Sequence, residues 1–139
     1  MSRFIQTSLL LFILAFLAHA EVTVQDPWVR PTVPQQKATG AFMRITSTVD
    51  ANLVGITSPV ADRAEIHEMK MDKDIMTMRA LPSLRLGAGK SLRLSPGGFH
   101  IMLFGLHQQV EAGDSVPLTL MIEDGLKRRT PVIVKAIAK

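Results

Sequence analysis

The sequence contains no cysteine and a single tryptophan among its 139 residues. Without cysteine there is no disulfide framework, no thiolate zinc site, no iron–sulfur cluster and no cysteine nucleophile. A blue-copper electron-transfer centre is excluded on the same ground, because it needs a Cys thiolate. The lipid of a bacterial lipoprotein, which hangs on a Cys, has no attachment point in it. Charge is not extreme either, at +4 overall. The densest basic cluster, Lys127-Arg128-Arg129, reads as a solvated turn. No basic stripe with interleaved aromatics is present, so nucleic acid is not an expected partner. Internal repeats, low-complexity tracts and inter-domain linkers are also absent. The length suits one domain, about 100–200 residues being typical.

Long apolar runs are scarce, and the main one is N-terminal. Arg3 precedes the run 9–18, which ends in Ala18-His19-Ala20. A basic start, a short apolar stretch and small residues at an A-x-A site describe a secretory signal peptide cut after Ala20. The run falls short of the roughly 20 residues a membrane span needs. Residues 1–20 are therefore expected to be a leader and residues 21–139 an exported domain with no stable membrane insertion after cleavage. Arg3 leaves with the leader, which lowers the net charge from +4 to +3. The domain keeps four aromatics, Trp28, Phe42, Phe99 and Phe104, against seven methionines. Thioethers outnumbering aromatic rings asks what the sulfur does beyond filling core gaps.

What remains reads as short strands. Candidates are 22–25, 40–48, 52–58, 63–71, 75–81, 91–95, 99–106, 116–122 and 131–137. Pro27, Pro31 and Pro34 argue against regular structure up to about Lys37. Turn signals separate the strands, among them Pro96-Gly97-Gly98 and Asp124-Gly125. No stretch of ten residues holds a helical period without Pro or Gly. The pattern predicts an antiparallel β-sandwich or barrel.

Histidines and methionines gather in two segments, 67–78 and 100–102. If 63–71 and 75–81 form a hairpin folded between Asp72 and Lys73, His67 opposes Met78 and Met69 opposes Met76. Side chains alternate with period two, so His67, Met69, Met76 and Met78 share one face. His100 and Met102 are likewise two apart and point the same way. Were that strand to pass the hairpin, His67, Met78, His100 and Met102 would converge. A single His on a strand or a single Met on a β-face is ordinary packing; the joint pattern is what stands out. Two imidazoles and two thioethers make a soft, neutral donor set that favours Cu(I). Zinc prefers thiolate or more imidazole, and Mg or Ca prefers oxygen. Met69, Met71 and Met76 are candidates for an accessory methionine cluster. His107, in a polar turn, and Glu68, on the opposite face from His67, read as solvated.

The spacing His67, ten residues, Met78, twenty-one residues, His100-x-Met102 resembles the motif of the periplasmic copper chaperones called PCuA(C). Further likeness lies in Trp28-Val29-Arg30-Pro31, in the stretch from Ser95 through Pro96-Gly97-Gly98-Phe99 to Leu103, and in Glu111-Ala112-Gly113-Asp114 and Glu123-Asp124-Gly125. It spans nearly the whole exported domain. The resemblance implies an all-β, cupredoxin-like fold, an antiparallel Greek-key barrel or sandwich. It implies one exchangeable Cu(I) held by His67, Met78, His100 and Met102, with no catalytic residue. It also implies a periplasmic location and delivery to the copper A site of cytochrome c oxidase, sometimes beside a Sco-type protein. Phe42 stands where the family often has Tyr. The sequence ends at Lys139 without the His- and Met-rich tail of some members. Two other readings stay open: a periplasmic copper buffer with no oxidase client, and a metal-free β-sandwich interaction module. An enzyme is not expected, since no motif pairs Ser with His and Asp and the soft site lacks an obvious general base.

Overall fold

The computed structural model describes residues 20–139, so the expected leader, apart from Ala20, lies outside the described residues. Ten strands make up the architecture: β1 (Val22–Val29), β2 (Ala38–Ser47), β3 (Ala51–Thr57), β4 (Ala61–Asp72), β5 (Ile75–Leu81), β6 (Leu84–Leu86), β7 (Ser91–Leu94), β8 (Phe99–Leu106), β9 (Ser115–Asp124) and β10 (Arg129–Ala138). No helix occurs among the described residues. The all-β expectation holds.

The strands hydrogen-bond in the order β5-β4-β8-β2-β1-β10-β9-β3-β6, with β7 paired to β2. Strands β3 and β4 also touch, although they lie far apart along that path. The sheet thus wraps around one apolar interior. Inward positions alternate most plainly along β6, β9 and β10, while β5 is exposed almost throughout. Ile45, Leu53, Ile101, Leu103, Leu118, Leu120 and Ile122 are almost wholly buried in the interior. Each such side chain contributes about 1.5–3 kcal/mol through burial.

Three details differ from the sequence reading. β6 was not expected; it is three residues long, too short for its alternation to show, and it borrows order from β3. β1 and β10 pair in parallel, the one exception among the described pairs, which are otherwise antiparallel. And β1 does not stop before Pro27. It continues to Val29 through a bulge between Gln25 and Trp28, with Asp26 at φ 50°. One extra residue on β1 shifts the alternation by one step, and a one-step slip exchanges the faces of everything beyond it. Before the bulge Val22 and Val24 pack against the core; after it Val29 does, and Trp28 is paired with Phe42 on the outer face.

Candidate metal centre

Strands β4 and β8 carry two different faces. Ile66 pairs with Ile101 and both point into the core, 3% and 0% exposed. The next positions, His67 and His100, form the adjacent cross-strand pair and point to the outer face. Glu65 pairs with Met102 one row away on that same face. β8 is therefore the direct neighbour of the hairpin, which brings His67 and His100 together as a cross-strand pair.

Both histidines are buried even though they face away from the core. Rings cover them. A row of centroids runs from Trp28 to Phe42 (4.5 Å), Phe42 to His100 (6.2 Å), His100 to His67 (5.8 Å) and His67 to Phe104 (5.7 Å). The Arg30 guanidinium lies 5.5 Å from the Phe42 ring centre, and that of Arg63 lies 4.6 Å from Phe104. Gly40 makes room for this row. A β-carbon there would stand 2.7 Å from the edge of the Phe42 ring, so only glycine lets that ring fold over β2.

Each imidazole is oriented through one nitrogen. His67 Nε2–H donates to the Glu65 carboxylate at 2.7 Å. Nδ1 of the same ring is buried and has no hydrogen-bond partner. Such an orphan is uncommon in a folded protein, because an unsatisfied buried polar atom costs about 1–3 kcal/mol. His100 is held the other way round: Nδ1–H donates to the Gly98 carbonyl at 3.1 Å, which leaves the Nε2 lone pair available. Fixing one ring nitrogen on a carboxylate or carbonyl so that the other can bind a metal is the common arrangement for ligating histidines. The hydrogen bond from His67 is the chief reason the Glu65 carboxyl sits below the usual carboxylate range. Partial desolvation opposes it and Arg63 adds to it.

A surface cavity of about 340 Å³ opens beside the pair. Met69, Met78, His100 and Met102 line it together with Arg30 and Phe42. The hairpin register corrects the expected one. His67 opposes Ala80, Met69 opposes Met78 and Met71 opposes Met76. The turn is Lys73-Asp74, one residue later than expected, with both residues at positive φ, 48° and 65°. Two left-handed residues in sequence make the type of two-residue turn that suits the twist of a hairpin, even without Gly. Parity is kept, so the face assignment survives. Met78 now lies diagonal to His67 instead of opposite it, still within reach of a long side chain.

Other residues fall as follows. Glu68 is on the far face of the hairpin, as expected, but is ion-paired with Arg79 at 2.8 Å. His107 is exposed and meets Asp62 at 2.8 Å. Among the described residues, no three His, Cys, Asp or Glu side chains gather in a way that could hold a metal. The side chains that the cavity adds beside the histidine pair include the thioethers of Met69, Met78 and Met102. Glu65 and Gly98, the two orienting groups, were missed in the sequence. A carboxylate two residues before His67 has the right parity to reach its ring, and that is the one signal that pointed there.

The model of the putative lipoprotein LpqE-like family matches residues 22–134. The chain belongs to the LpqE-like family. This bears out the PCuA(C)-type resemblance read from the motif. A putative lipoprotein of Leifsonia xyli subsp. xyli is 36% identical over 115 residues, covering 82% of this chain and 69% of the relative. Among solved structures, the Cu(I)-bound form of DR1885 from Deinococcus radiodurans is similar at 28% identity and TM-score 0.60, covering 84% of this chain and 78% of that one. The copper-bound PCuAC domain of PmoF2 shares the fold at 16% identity and TM-score 0.68, covering 88% of this chain and 98% of that domain. The cupredoxin-like architecture expected for an LpqE-like chain is the one these neighbours have.

Proposed function

We propose that this LpqE-like protein is a periplasmic Cu(I) chaperone that holds one copper ion through His67, Met78, His100 and Met102 and delivers it to the copper A site of cytochrome c oxidase. The observation that carries this reading is the buried, unpartnered Nδ1 of His67, whose Nε2 is tied to Glu65 and whose neighbour across the sheet is His100. A lone pair kept dry and free beside a second imidazole, with thioethers along the adjoining cavity, suits a soft monovalent ion. Copper in the DR1885 and PmoF2 structures supports the same cargo.

Copper is cargo here, not a catalytic centre. The donors are all neutral, so the bound ion keeps a positive charge that an anionic, softer thiolate acceptor would stabilise better. Transfer then proceeds by exchange: one ligand of the acceptor joins as one of the four leaves, with no change of oxidation state and no large uphill step. A Sco-type thiol protein would fit as an accompanying partner. The signal-like leader and the naming of relatives as putative lipoproteins support export.

X-ray absorption on the copper-loaded domain tests the site. A Cu(I) edge with mixed nitrogen and sulfur scattering is expected at one ion per chain, and an all-oxygen shell would end the reading. The double variant H67A/M78A is expected to lose that ion. Deleting the gene tests the client: lost oxidase activity under scarce copper supports delivery, whereas sensitivity to excess copper alone would point to a buffer.

A further inference from the structure

Beyond Glu68, β4 leaves the sheet. Its ladder with β8 ends at the Glu68–Phe99 pair, followed by one last bond from Met69 N–H to the Gly98 carbonyl at 3.1 Å. From there the β4–β5 hairpin continues as a two-stranded ribbon. One face of it carries Glu68, Lys70, Asp72, Ile75, Thr77 and Arg79, and the Glu68–Arg79 ion pair lies there. The other face carries Met69 opposite Met78 and Met71 opposite Met76. Half of the chain's eight methionines therefore occupy two consecutive rows. Met71, Met76 and Met78 are 59%, 48% and 49% exposed, so they fill no core. Met69 and Met78 line the cavity beside the histidines, and Met71 and Met76 stand one row further out.

Resting on the proposed copper site, we propose that Met71 and Met76, together with Met69, form an outer Cu(I)-binding site from which copper passes down the ribbon to the histidine pair. Opposed β-carbons in a ladder lie about 4.5–5.5 Å apart, which lets two flexible thioethers close on one ion. Methionine is not a favoured strand residue, and an apolar docking face would be served as well by Val, Ile or Leu. Sulfur at all four positions is what a soft monovalent ion needs. Neutral thioethers without imidazole hold Cu(I) loosely, as an uptake site should. The handover is a ligand exchange. The Met78 sulfur binds as one from Met71 or Met76 leaves, the ion stays Cu(I), and no proton moves. Met69 stands between the two sites, two residues from His67 on one side and from Met71 on the other, and opposite Met78.

The test is an anaerobic titration of the full exported domain with Cu(I), followed through NMR of 13C-methyl methionine. The first equivalent is expected to shift the methyls of Met78 and Met102, and a second those of Met71 and Met76. The variant M71L/M76L, which keeps the apolar area but removes the sulfur, is expected to retain the first equivalent and lose the second. If the inner methyls titrate while those of Met71 and Met76 stay still through the second equivalent, the outer site is overturned and the chaperone reading stands. If Met71 and Met76 shift but the inner methyls do not, the outer site stands and the four-ligand assignment falls. A second equivalent retained by M71L/M76L would also overturn the outer site, because binding there would not need the sulfur.

Discussion

Glu65 does more for the site than its place outside the proposed donor set suggests. It accepts from the Nε2–H of His67 and so fixes which ring nitrogen keeps its lone pair. Without that carboxylate the ring is free to rotate and to exchange tautomers, and the ordering must be achieved when copper binds. Groups of this kind typically alter metal affinity about 10- to 100-fold. Glu65→Ala is expected to weaken Cu(I) binding by about that factor, measured by competition with a chromogenic Cu(I) chelator. Glu65→Gln, whose amide oxygen still accepts from Nε2–H, should lose less. A fold lost without copper, seen in the circular dichroism of the apo form, would show instead that Glu65 is structural.

At the scale of elements, two hairpin turns make contrasting cases. The β4–β5 turn places Lys73 and Asp74 in the left-handed region, which costs an L-residue about 1–2 kcal/mol. Replacing Lys73-Asp74 with Asn-Gly, the pair that adopts this geometry most readily, is expected to raise stability by about 1 kcal/mol. It should leave the Met69–Met78 register unchanged, and a thermal melt together with Cu(I) stoichiometry checks both. The β9–β10 turn is secured by a side chain. Asp124 accepts from the backbone of Leu126 and Arg128 and from the Arg128 guanidinium, at 2.8–3.0 Å. Burial pushes its carboxyl up, but those hydrogen bonds outweigh it and hold the group below its ordinary range. A folded-state value depressed in this way gives stability that is full above the unfolded value of about 3.9 and disappears as pH falls through the folded one. Urea midpoints compared between about pH 6 and about pH 3 are expected to drop less for Asp124→Asn than for the parent protein.

At the scale of the whole molecule, what was legible in the sequence follows the range of the interaction. Strand alternation is local, so β5 and β8 could be bounded to the residue from the sequence alone. The order of strands is not local. Nothing in the sequence said that β8 lies beside β4, and it is this contact that makes His67 and His100 a pair. The hairpin face could be read because parity survives a shift of the turn by one residue, whereas the individual partners could not. The Trp28 bulge shows the opposite weakness. Pro27 looked like the end of a strand, yet an extra residue can be absorbed in a bulge and the strand can resume with its faces exchanged. β1 and β10, near opposite ends of the chain, meet in the middle of the sheet, and no local pattern announces such a pairing.

The outward direction of the histidine pair has a consequence for how the molecule can change. Ile66 and Ile101 pack into the interior on one side of β4 and β8, while His67 and His100, the proposed copper ligands, stand on the other. Fold and the proposed cargo preference are thus written on alternate residues of the same two strands. The donor set is a removable fitting on a finished frame. Exchanging thioether for imidazole, or imidazole for carboxylate, would retune the protein toward a harder ion without disturbing a single contact in its interior.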